Sequence, residues 1–184
     1  MSIDTSTLFE SARLHYRSAR DADLDEMVEM YQDSEIQASM MAGAIVPRPE
    51  AFKETVRGWQ PNPLCVVASD KETGTFIGSV SLPDARFPNE FELAMNVKKD
   101  MWGKGYGKEM LLWVVQHAFK WMPGVHRITL KVFQSNARAI ALYKSAGFVQ
   151  EGVKRRARWS DGKWEDVILM GIVEDDFDPS RARV

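Results

Sequence analysis

The sequence predicts an α/β (α+β) fold, a mixed sheet with helices on both of its faces. Three observations predict it. At 184 residues and 45% apolar the chain is long enough to bury a real core as one domain. Segments alternating with period two interleave with segments whose apolar residues recur at helical spacing. The run Val167-Ile168-Leu169-Met170-Gly171-Ile172-Val173 is apolar on both faces, which places a strand inside the sheet rather than at its edge.

In chain order, Ala12 to Ser18 reads as an opening strand, with Leu14 and Tyr16 alternating against Arg13 and Arg17. Asp23 caps a helix to about Tyr31 on Leu24, Met27, Val28 and Tyr31. Pro47 and Pro49 break the chain before a second helix from about Glu50 to Trp59, and the loop ahead of that helix is a candidate lid. Strands follow over 64–69 and 76–81, joined by the turn Asp70-Lys71-Glu72-Thr73-Gly74. Glu90 to Lys98 reads as one strand, with Glu92, Ala94 and Asn96 on one face and Leu93, Met95 and Val97 on the other. A helix from Lys108 to Trp121 buries Met110, Leu111, Val114, Val115, Ala118 and Phe119. A strand over 127–133 and a short helix from Ser135 or Asn136 to Ala146 come next, with Gly147 as its stop. Two final strands, 148–160 and 165–173, flank the hairpin signal Asp161-Gly162. The core spans about 12–174, between short flexible tails.

Composition narrows the function. A net charge of −2 gives no general attraction to nucleic acid or to an anionic membrane, so neither is an expected partner. No run of apolar residues is long enough to span a bilayer, and the start Met1-Ser2-Ile3-Asp4 lacks the pattern of a secretory signal. A cytoplasmic location is the default expectation. The single cysteine, Cys65, lies in an apolar run and reads as a core thiol. His15, His117 and His126 do not fall at metal-ligand spacing, and no metal is expected.

The chemistry concentrates in Trp102-Gly103-Lys104-Gly105-Tyr106-Gly107, a glycine turn that leads from a strand into a helix. Glycines let backbone approach a ligand closely, and a helix N-terminus offers unpaired N–H groups and partial positive charge, so the unit suits phosphate. Lys104 and Lys108 add charge. A Walker loop fails because Gly107-Lys108 is followed by Glu109 and Trp102 stands where the first glycine belongs. A dinucleotide fingerprint fails because position 108 is lysine. A tight strand–helix turn with no ligand remains the bland alternative.

The segment Asn96 to Gly107 resembles the acetyl-CoA pyrophosphate loop of the GNAT N-acetyltransferases. Asn136-Ala137-Arg138-Ala139-Ile140-Ala141-Leu142-Tyr143-Lys144-Ser145-Ala146-Gly147-Phe148 resembles that family's second signature. Glu151-Gly152-Val153-Lys154-Arg155 and Trp159-Ser160-Asp161-Gly162-Lys163 resemble its RimJ/RimL branch and the spermidine-acetylating relatives. The resemblance covers about Leu14 to Val173 and implies a mostly antiparallel central sheet. It also implies an acetyl-CoA-dependent N-acetyltransferase acting on a small-molecule amine or a peptide N-terminus in a ternary complex. Edge strands often pair in such proteins, so a homodimer is a candidate state. Trp102 stands where most of the family has Gln or Arg, which leaves the backbone from Gly103 to Lys108 to hold the pyrophosphate.

Acetyl transfer needs a deprotonated amine, a donor for the oxyanion and a proton for the departing thiolate. By resemblance, Glu92 is the base or amine anchor and Tyr143 the acid at the sulfur. Asn136 would contact the cofactor arm while capping its own helix. The strand residues Met95, Asn96 and Val97 would meet the arm, a backbone N–H near Val97 serving as oxyanion donor on a strand that splays from its neighbour. Glu92 as a solvated strand carboxylate and Tyr143 as a packing residue are the alternatives. Trp113 and Trp121 read as packing; Trp59, Trp159 and Trp164 are candidates for the acceptor wall. The basic run Lys154-Arg155-Arg156-Ala157-Arg158 reads as a solvated strand end, or as a contact to the 3′-phosphate of CoA or an acidic partner, and it does not suit a polyamine. An acyl-CoA-binding regulatory domain without transfer activity is the competing class.

Overall fold

The structure is a computed structural model that describes residues 7–40, 43–178 and 180. Of the expected tails flanking 12–174, residues 1–6, 179 and 181–184 lie outside the described residues.

The elements are β1 (Leu14–Arg17), α1 (Asp21–Met30), α2 (Ser34–Met40), α3 (Phe52–Arg57), β2 (Leu64–Asp70), β3 (Phe76–Leu82), β4 (Glu90–Glu92), β5 (Ala94–Val97), α4 (Tyr106–Trp121), β6 (Arg127–Phe133), α5 (Ala137–Ser145), β7 (Val149–Ser160) and β8 (Lys163–Val173). They form two four-stranded sheets, ordered β1-β2-β3-β5 and β4-β6-β8-β7. β4 and β6 run parallel; every other pair is antiparallel. The expected mixed, mostly antiparallel architecture is present, with β8 in the interior of its sheet.

Local chemistry explains the punctuation. The Asp70 carboxylate accepts from the N–H groups of Glu72 (3.1 Å) and Thr73 (3.0 Å) and closes the β2–β3 turn. Asp161 (φ 49°) and Gly162 (φ 71°) both adopt positive φ, as a two-residue β7–β8 hairpin turn requires. Asn136 caps α5 by accepting from Ala139 N at 3.1 Å. Asp23 lies three residues inside its cap rather than at it, and its carboxylate accepts from Arg20 N (2.7 Å) and from Arg17.

One face packs on α4 and α5, where Met110, Leu111, Val114 and Val115 are fully buried. Each such side chain contributes about 1.5–3 kcal/mol, so α4 is seated by its own stripe. The other face packs on α1 to α3 through Leu24, Met27, Tyr31, Ile36, Phe52 and Val56.

Two expectations are corrected. The 90–98 strand is two strands in different sheets, broken at Leu93, whose N–H donates to Thr129 O at 2.7 Å. The region read as a lid loop contains a helix, α2, started by Asp33, which accepts from the N–H groups of Glu35 (2.8 Å) and Ile36 (3.1 Å). Residues 41 and 42 lie outside the described residues, and the segment after them is pinned rather than free. Gln37 bonds Val46 through both its N–H and its oxygen, and Gln32 does the same to Arg48.

Candidate active site

The break at Leu93 opens the molecule. Among the described strands β5 pairs with β3 alone, while β4 continues on β6, so β5 and β6 part and leave a wedge between the sheets. In an antiparallel ladder alternate residues turn their peptide groups toward the partner. Lys98 N donates to Ile77 O (2.8 Å), so Asn96 also faces β3, whereas Met95 and Val97 turn their peptide groups into the wedge. Val97 O is taken by the indole N–H of Trp102 at 2.7 Å, which leaves the Val97 N–H pointing into the wedge.

The glycine turn closes one end. Gly103 (φ 76°) and Gly105 (φ 85°) are left-handed, a conformation that costs other residues about 1–2 kcal/mol. Gly105 is the N-cap of α4. None of the N–H groups from Gly103 to Gly107 has a backbone acceptor among the described residues. These donors at a helix N-terminus form an anion-binding concavity. The carbonyl side is tied behind it: Arg13 donates to Lys104 O (3.0 Å), stacks over the Tyr106 ring (4.3 Å to its centroid) and pairs with Glu109 (2.8 Å). Glu109 also accepts from Arg13 N (2.6 Å) and Ser11 Oγ (2.7 Å). Burial pushes its carboxyl up, but these hydrogen bonds outweigh burial and hold it below the usual range.

Trp102 and Arg138 flank the turn, the guanidinium lying 3.8 Å from the centroid of the indole ring. Tyr143 also lines the wedge. Its hydroxyl has no hydrogen-bond partner among the described residues, and burial pushes its pKa up to about 12, so at neutral pH it is a proton donor. On β4, Glu92 Oε2 accepts from Lys131 Nζ at 2.6 Å, with 37% and 54% of the two side chains exposed. Asn96 turns its amide toward α1 and donates to the Tyr31 hydroxyl (2.6 Å), while its own Oδ1 is buried without a partner.

A cleft of about 660 Å³ runs the length of the wedge. Its residues match a known family: residues 13–149 fit the Acetyltransferase (GNAT) domain. The chain belongs to the GNAT family of acetyltransferases. It is 30% identical over 76 residues to the SPbeta prophage-derived N-acetyltransferase YokL of Bacillus subtilis, a match covering 41% of this chain and 42% of that protein. It is 29% identical over 121 residues to the L-methionine sulfoximine/L-methionine sulfone acetyltransferase of Pseudomonas aeruginosa, covering 64% and 67%. Among solved structures, the Vibrio cholerae spermidine N-acetyltransferase in complex with CoA and spermine superposes with a TM-score of 0.79 at 21% identity, covering 90% of this chain and 98% of that one. That likeness speaks to the fold.

The GNAT cleft gathers most of the residues the sequence singled out: Glu92, Met95, Asn96, Val97, Trp102, Gly103, Gly105, Gly107, Lys108, Asn136 and Tyr143 line it. Lys104 and Tyr106 do not. Tyr106 points behind the turn, where its hydroxyl donates to Asp70 (3.2 Å), and Lys104 Nζ lies against Met101 Sδ (3.6 Å). Their side chains turn away from the cleft, while their N–H groups remain part of the glycine turn's unpaired set. Lys131, Arg138 and the α2 residues Ile36, Ser39 and Met40 line the cleft without having been singled out for it. Arg138 lies inside the second signature and could have been found there; Lys131 had no signal beyond its strand.

Trp59, Trp159 and Trp164 are absent from the cleft wall. Trp59 packs with Tyr31 and Phe52, and the exposed Trp159 and Trp164 meet edge to face at the hairpin tip. Arg158 departs from the solvated reading of the basic run: it is buried, pairs with Glu165 (3.0 Å) and lies 3.6 Å over the Phe133 ring. Cys65 is half-buried rather than in the core, and burial pushes its thiol up. Among the described residues no cluster of three or more His, Cys, Asp or Glu could hold a metal, and no helix is long and apolar enough to cross a membrane.

Proposed function

We propose that this chain transfers the acetyl group of acetyl-CoA to a primary amine, with both bound together in the cleft. The observation that carries the reading is continuity. The unpaired β5 edge leads, through one short 3-10 turn over Lys99–Met101, into the unpaired N–H groups of Gly103 to Gly107, so one elongated ligand can meet a strand-like edge and a phosphate cradle at once. The residues present fit CoA: backbone donors and the cations of Lys108 and Arg138 stand at the phosphate end, and amide-binding groups of Met95 and Val97 along the arm. When bound, acetyl-CoA supplies the activated acyl carbon.

The chain's own groups divide the remaining work. Glu92 holds the amine and takes its proton, directly or through a water, once the amine displaces Lys131. The free N–H of Val97 stabilises developing negative charge on the acyl oxygen. Tyr143, neutral to about pH 12, delivers a proton to the sulfur. Trp102 and the Glu151 to Arg155 segment support placement in the RimJ/RimL-like branch. The unpaired edge of β7 supports a homodimer formed by strand pairing.

A second reading, an acyl-CoA-binding regulatory domain without transfer, draws on the hold of Lys131 over Glu92. One experiment separates them. Saturating acetyl-CoA, at about 100 times its Kd, adds roughly 2.7 kcal/mol and raises Tm by roughly 5–10 °C. Transfer to an amine panel is then expected, and Tyr143→Phe is expected to lower kcat about 10- to 100-fold while keeping the Tm rise. A Tm rise with no turnover on any amine selects the regulatory domain; no rise sinks both.

A further inference from the structure

The acceptor end of the cleft carries an arrangement of charge that the transfer reading alone leaves unused. Glu92 is the sole carboxylate among the described residues lining the cleft. It is already met by Lys131 at 2.6 Å. Strand register sets a second lysine on the same face. Phe133 pairs with Val167, which pairs with Lys154, and directly opposed residues share a face of the sheet. Lys131 lies two residues before Phe133, and Glu92 pairs with Thr129, two residues before Lys131. Glu92, Lys131, Phe133, Val167 and Lys154 therefore share one face. Lys108 and Arg138 are at the opposite, phosphate end, against the glycine turn.

Resting on the transfer reading, we propose that the acceptor is a free α-amino acid, with its ammonium on Glu92 and its carboxylate on Lys131, assisted by Lys154. An amine carrying only positive charge must pull Glu92 from Lys131 and leave two lysines unanswered beside it. A zwitterion answers both charges. Its ammonium replaces Lys131 at Glu92, its carboxylate receives Lys131, and the half-exposed pair it disrupts is a weak one. Deprotonation by Glu92 then makes the nitrogen nucleophilic while Lys131 keeps the molecule oriented. Ile36 and Met40 of α2, with Val167 across the cleft, offer apolar walls to an uncharged side chain. Polyamines and peptide N-termini lack a carboxylate next to the amine and are disfavoured by the same logic.

The test is the rate of acetyl transfer from acetyl-CoA to the common L-amino acids, each beside its carboxamide, with spermidine and a tripeptide as further acceptors. The carboxamide keeps the amine and removes the anion, and its amine is the less basic, so a preference for the free acid runs against intrinsic reactivity at neutral pH. The expected result is a free amino acid as best acceptor, with kcat/KM at least about tenfold above its amide. Lys131→Gln is expected to reduce that ratio about 10- to 100-fold, mainly through KM, and Lys154→Gln by a smaller factor. A retained Tm rise with acetyl-CoA shows that each variant is folded. Amide, spermidine or tripeptide used as well as the free acids overturns the inference and leaves the transferase standing. A ratio unmoved in Lys131→Gln overturns the role of that lysine. Acetyl-CoA binding with no acceptor acetylated sinks the transfer reading and this inference with it.

Discussion

The two ends of the cleft are built from different materials. At the phosphate end the ligand-facing groups are mostly peptide N–H groups, held in place by glycines at positive φ and by the stripe that seats α4. At the acceptor end they are side chains, Glu92 and Lys131, standing on separate strands. Backbone donors present the same chemistry whatever residues surround them, so the first end suits one invariant ligand. Side chains can be exchanged one at a time, so the second suits a variable one. Binding of acetyl-CoA and choice of amine are therefore separable by substitution.

The largest effect expected is at the acceptor end. Glu92→Gln removes the proposed base and is expected to lower kcat about 10²- to 10³-fold, while acetyl-CoA raises Tm as in the wild type. Loss of the Tm rise in that variant would show that the two ends are coupled. Glu109→Ala comes next and acts behind the turn. It removes the shared acceptor of Arg13 Nε, the Arg13 backbone N–H and the Ser11 hydroxyl, leaving the guanidinium only Lys104 O and Ser11 only the Tyr16 hydroxyl, at a cost of about 2–3 kcal/mol, or roughly 5–10 °C in Tm. Because the folded-state pKa of Glu109 is depressed, its contribution is fully present above the ordinary carboxylate range and fades as pH falls through the lowered value. The wild type should thus lose stability on acidification more steeply than Glu109→Ala, and equal slopes in urea titrations below about pH 5 would contradict this. The smallest effect is expected from Gly105→Val. At φ 85° the branched residue is strained by about 1–2 kcal/mol, and acetyl-CoA affinity should weaken roughly tenfold, with acceptor preference unchanged.

What the sequence disclosed follows the same division. The glycine turn and the helix behind it were legible because glycine spacing and a helical stripe are local patterns. The switch at Leu93 was not. Phe91, Leu93, Met95 and Val97 all stay on the α4 and α5 side across the break. The chain changes its hydrogen-bonding partner without changing which face is apolar, so the period-two pattern runs through unmarked. α2 was missed because its seven residues bury only Ile36 and Gln37, and one of those is polar. Lys131 carried no signal because its meaning comes from Glu92, 39 residues away in sequence. Glu92 and Tyr143, which both line the cleft, were singled out through motif position rather than through any physical pattern of their own.

The alternation along β6 has an evolutionary consequence. Ile128, Leu130 and Val132 are buried in the core, while Lys131, set between two of them, is half exposed on the cleft. Inheritance of the fold and inheritance of the substrate thus occupy alternate letters of the same strand. A lineage can drift at Lys131 and acquire a different amine, with little selective resistance from folding. Its cofactor, read by the peptide chain itself, is handed down unchanged.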